Sequence, residues 1–92
     1  MLEAVKGYLK ITWEDEDVEI GRLIAQGEAE LTELCGADLD FVTEGLARSL
    51  LFDHVRYAYN NASEYFSENF AEKILRLQLK TGVDEMVAAN ET

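Results

Sequence analysis

Apolar residues recur at helical spacing along this chain, and no proline interrupts them. A core-facing helix repeats its apolar positions at i, i+3, i+4 and i+7, whereas a half-buried strand alternates every second residue. No sustained alternation is present, so the pattern predicts an all-α fold, a small bundle of about four helices. Leu2, Val5 and Leu9 mark a short first helix. Ile11-Thr12-Trp13 interrupts it, and Thr12, with Asp15 three residues on, is the expected N-cap of a long second helix. That helix carries Ile20, Leu23, Ile24, Gly27, Leu31 and Leu34 on one stripe, and Gly36 is placed to stop it.

After the connection at residues 36–40, Asp40 is the expected cap of a third helix running to about Asn60–Asn61. Ala47, Leu50, Leu51, His54, Val55 and Ala58 form its stripe, widened by Leu46, Phe52 and Tyr59. A helix apolar over so much of its circumference belongs at the centre of a bundle. Asn60 to Ser63 then form a turn. A fourth helix has Phe66, Phe70, Ile74 and Leu77 in step, and Gly82 is expected to end it. Residues 83–92 read as a weak helix or a loose tail. With no internal repeat and no linker, residues 1–92 read as one domain. Gly7, Gly21, Gly27 and Gly45 all fall inside these helices, where glycine costs about 0.5–1 kcal/mol relative to alanine. Either some helix boundaries lie elsewhere, or close helix packing offsets the cost.

Charge narrows the function. The 92 residues carry 8 basic and 19 acidic side chains, a net −11. A sequence-independent grip on phosphate needs a Lys/Arg surface, which this balance argues against. The excess is concentrated: residues 14–40 hold ten acids against Arg22, a net −9. Glu14, Asp15, Glu16 and Asp17, with Glu19 beyond them, are expected in the first turns of the second helix, where negative charge suits the helix dipole.

Little in the chain points to catalysis. Cys35 is the one cysteine and His54 the one histidine, so neither an intrachain disulfide nor a Cys- or His-rich metal cluster is expected. Read as a calcium loop from Asp15, the acidic run places Ile20 where glycine is needed and Gln26 where glutamate is needed. No pair of carboxylates stands out for acid–base work, so neither an enzyme nor a cofactor is expected. His54 reads as a core or interface histidine. No apolar run approaches a membrane span, and the N-terminus lacks the layout of a secretion signal, so a reducing cytoplasm is the expected site of synthesis. The two glycosylation-like triplets, Asn61-Ala62-Ser63 and Asn90-Glu91-Thr92, read as chance matches.

Six of the nine aromatic residues lie between Phe52 and Phe70. Arg56 to Tyr59 span a full helical turn and cannot all face inward. Arg56 and Tyr57 are therefore expected contact residues, in keeping with the enrichment of Arg and Tyr at binding hot spots.

Taken in order, these segments resemble the head–tail connector (adaptor) proteins of tailed phages, in the form found in phages and prophages of Gram-positive bacteria. The opening Leu2-Glu3-Ala4-Val5-Lys6-Gly7-Tyr8-Leu9-Lys10-Ile11 is similar to the family's start. The acidic Glu14–Asp17 followed by Ile20, Leu23, Ile24 and Ala25 fits, as does the helix end Leu31-x-x-Leu34-Cys35-Gly36. Leu50-Leu51-Phe52-x-x-Val55-Arg56-Tyr57-x-Tyr59-Asn60-Asn61 resembles the third segment. Ile74-Leu75-x-Leu77-Gln78-Leu79 resembles the approach to a Gln-Leu-Arg-Gly signature, but Lys80 and Thr81 stand before Gly82, leaving Arg76 or Lys80 as the nearby cation.

The resemblance implies a structural protein, once labelled a DNA-packaging protein, at the head–tail junction of the virion. Such subunits assemble as a ring of about a dozen copies on the portal protein, extend the DNA channel and dock the next head-completion or tail protein. Arg76, Gln78 and Lys80 join Arg56, Tyr57 and Tyr59 as expected contacts with the portal or a neighbouring copy. The acids Glu14, Asp15, Glu16, Asp17 and Glu19 are candidates for a channel wall. Neither sequence-specific nucleic-acid binding nor membrane binding is implied. A different class also fits the charge: a small acidic regulatory module, even a DNA mimic. A ring subunit needs two complementary faces, whereas a mimic needs one acidic face.

Overall fold

The computed structural model describes the backbone of residues 1–90 and the side chains of residues 1–82. It is all-helical among the described residues: α1 (Leu2–Leu9), α2 (Asp17–Cys35), α3 (Leu46–Tyr59), a 3-10 turn (Ser63–Tyr65), α4 (Phe66–Asn69) and α5 (Ala71–Asn90). The apolar stripes predict this class because each must be covered by another helix. α3 is central and packs against all four other helices. Val5, Ile20, Leu31, Leu50, Leu51 and Val55 are fully buried at the heart of the core, and Phe66, Ile74 and Leu77 close its far side.

Helix ends follow local chemistry where glycine or asparagine supplies it. Gly36 takes a left-handed conformation at φ 67° and donates back to Thr32, ending α2 where the sequence predicts. Lys10 does the same for α1 at φ 62°, with Ile11 donating to the Lys6 carbonyl and turning into the core. Asn61 reverses the chain after α3 at φ 58°.

Four predicted boundaries move. Thr12 does not cap α2, which starts at Asp17. Residues 11–16 instead cross between helices, anchored by buried Ile11 and by the bonds of Glu16 and Asp17 to other elements. Glu14 to Glu16 therefore precede the helix. Asp40 makes its capping contacts, accepting from the Val42 and Thr43 amides at 2.9 and 3.1 Å, but α3 begins only at Leu46. Between them Phe41 turns into the core, and Arg48 holds the carbonyls of Phe41 and Val42. The expected fourth helix is divided at Phe70, whose ring stacks on Phe66 at 5.1 Å. Gly82 does not end α5, because the helix continues to Asn90. Residues 91–92, and with them the end of the expected tail, lie outside the described residues.

The two readings of the helical glycines separate by position. At Gly27 a Cβ would lie 2.9 Å from the Leu51 Cδ1 and 3.1 Å from the His54 Nδ1, so α2 and α3 cross closely there and any side chain would have to displace these neighbours. Gly7 and Gly21 have open space in the same position, and Gly45 stands just before α3 as its N-cap.

Candidate interaction surfaces

Polar side chains fasten α1 and the start of α2 to α3. Tyr8 donates to the Asp53 Oδ1 at 2.6 Å, and Arg56 approaches the same oxygen at 3.4 Å. Asp53 is buried, so these two donors supply what water would otherwise provide. Lys6, also buried, meets the Asp17 Oδ1 at 2.7 Å. Tyr59 donates to the Glu16 Oε2 at 2.6 Å. Each bond favours the protonated form of its donor. The hydrogen bond to Asp17 pushes Lys6 up, that to Asp53 pushes Tyr8 up, and that to Glu16 pushes Tyr59 up.

Sequence reasoning missed Tyr8, Lys6 and Asp53 as a set. It also missed the bond between the His54 Nε2 and the Glu30 Oε2 at 2.6 Å. His54 is a core residue, as its stripe position suggests, set between Gly27 and the edge of Phe66 at 4.8 Å. The only local signal for Asp53 is its i, i+3 spacing from Arg56.

The predicted contact residues fall into two groups. Arg56 stacks over Tyr57 at 5.1 Å, and the Tyr57 hydroxyl accepts from the Asn69 Nδ2 at 3.0 Å. With Asn60 and Tyr65 they line a shallow pocket of about 380 Å³. Tyr59 lies nearby but is half-buried and turned toward Glu16. On α5, Gln78 donates to the Leu34 carbonyl at 2.8 Å, Arg76 reaches Glu72 at 3.5 Å, and Lys80 is exposed. Tyr59 thus meets α2 just before its first turn and Gln78 meets it at its last, about 27 Å away along the helix. These are two surfaces.

The acids of the run differ in their partners. Glu16 and Asp17 are taken up by Tyr59 and Lys6, and Glu19 pairs with Arg22, which holds its carboxyl below the usual range. Glu14 and Asp15 stand free in solvent. The Cys35 thiol is pushed up by burial, which keeps it protonated. Among the described residues, no three His, Cys, Asp or Glu side chains are grouped to hold a metal ion. No helix among them is long and apolar enough to cross a membrane. No family model, no curated protein and no solved structure matches the chain.

Exposed apolar side chains occur at several places, including Tyr8, Val42 and Tyr65. Trp13 and Val18 stand near the start of α2, with Val18 89% exposed. Leu75 and Leu79 project from α5 at 54% and 63%.

Proposed function

We propose that this chain is a head–tail connector subunit of a phage or prophage. It would assemble as a ring on the portal, extend the DNA channel and dock the next head-completion or tail protein. The observation that carries this reading is the set of exposed apolar side chains at separate places in the fold, among them Trp13 and Val18 by the start of α2 and Leu75 and Leu79 on α5. A ring subunit on a portal needs several contact surfaces, because it meets its neighbours and the portal with different parts of its surface. The ordered resemblance of the sequence segments supports the same reading. A DNA mimic is less well supported, because Glu16, Asp17 and Glu19 are engaged within the chain. Glu14 and Asp15 remain exposed, and on a channel wall they would repel DNA and keep it from sticking.

The test is to mix the protein with the portal protein of the same genome and measure co-sedimentation and stoichiometry. Binding at a fixed ratio to the portal ring is expected. Absence of binding across a range of salt concentrations would remove the connector reading.

A further inference from the structure

Two surfaces of the chain, one along α2 and one on α5, are complementary between copies. Along the outer side of α2, Ala25 and Ala29 form one wall of an open groove of about 680 Å³, and Leu39 and Phe41 form the other. Its rim carries the acids Glu28, Glu33 and Asp38, and no base lines it. The alanines keep the wall low enough to admit branched side chains. On α5, Leu75 and Leu79 are one turn apart and exposed, flanked by Arg76, which also reaches Glu72, and by Lys80, which lines a cavity with Asp38 and Asp40. Three of the chain's eight bases lie between Lys73 and Lys80, against the single acid Glu72 in residues 71–82. In a protein of net charge −11, this is the cationic, apolar ridge suited to an acid-rimmed apolar groove.

We infer that the α5 ridge of one copy docks into the α2 groove of a second copy. Leu75 and Leu79 enter between Ala29 and Leu39, and Arg76 and Lys80 face the Glu28 and Glu33 rim. Because ridge and groove are different surfaces, the contact is head-to-tail, and repetition produces a ring or an open filament. This inference assigns the self-contact faces of the proposed connector, but its physical basis is independent of any portal.

Sedimentation velocity on the full-length chain tests it. The wild type should self-associate with rising concentration at low salt, and added salt should weaken the assembly. Leu75→Glu with Leu79→Glu breaks the ridge, and Ala29→Arg breaks the groove. All three positions are exposed, and circular dichroism checks that each variant keeps its helices. Each variant alone should lose assembly. Mixed in equal amounts they should restore one intact contact and stop at a two-chain species, twice 10.4 kDa. A wild type that stays monomeric up to about 1 mM, variants that assemble like the wild type, or a mixture that stays monomeric would each overturn the inference. Self-association without portal binding would retain these faces and discard the connector reading. Portal binding by a chain that fails the mixing test would do the reverse.

Discussion

The two flanks of α3 are held by different chemistry. On the α1 side, Tyr8, Lys6 and Tyr59 reach across to Asp53, Asp17 and Glu16, and each bond has a fixed length and direction. On the α5 side, Ile74 and Leu77 press into the core, and Gln78 adds a bond to the Leu34 carbonyl. Directional bonds set the register of a helix, whereas apolar contact mainly supplies free energy. The α1 flank is therefore fixed in geometry, while α5 is anchored along one stripe and presents the rest of its surface outward.

The largest expected effect tests the apolar flank. Leu77→Ala should cost about 2–5 kcal/mol, because it opens a cavity under the helix held mainly by that contact. A shift below about 0.5 kcal/mol in denaturant unfolding would show that α5 contributes little to the fold. Gly27→Val should cost about 1–3 kcal/mol by driving a branched side chain into Leu51 and His54. A neutral outcome would mean that the α2–α3 crossing is looser than its distances.

Tyr8→Phe tests the polar flank and should cost about 1 kcal/mol, since it removes a donor from a buried carboxylate. The same flank should show in the pH dependence of stability. Lys6, Tyr8 and Tyr59 all hold their protons more tightly folded than unfolded. Their contribution is complete below about pH 10 and disappears as pH rises through the folded-state values. Thermal melts should therefore fall on the alkaline side, and Tyr8→Phe should flatten that limb. Gly21→Ala, where nothing lies within 4 Å of the added carbon, should stabilise by about 0.5–1 kcal/mol. Together with Gly27→Val it separates glycines required by packing from those that are not.

Much of this architecture is legible in the sequence because helix periodicity is local. The stripe of α2 from Ile20 to Leu31, that of α3, the Gly36 stop, the central place of α3 and the core position of His54 all follow from spacing, whereas Leu34, expected on the α2 stripe, is exposed at the helix end. The helix starts at Thr12 and Asp40 are misplaced because a suitable cap residue is only a local preference. Burial of Ile11 and Phe41, decided by distant partners, overrides it. Gly82 is passed over because one unfavourable residue does not end a helix anchored upstream by Ile74 and Leu77. Among the contact surfaces, the exposure of Arg56 follows from the crowded turn at residues 56–59. The bond from Tyr8 to Asp53 spans 45 residues and that from Tyr59 to Glu16 spans 43, and no local pattern announces either.

Cys35 sits at the end of α2, half-buried, next to Leu34, whose carbonyl accepts the hydrogen bond from Gln78 of α5. The thiol therefore lies close to the turn of α5 that carries Gln78. Lifting of that turn would expose the sulfur further, so the alkylation rate of this single cysteine should report on helix detachment. The chain thus carries its own stopwatch, and any partner that clamps α5 down should slow it.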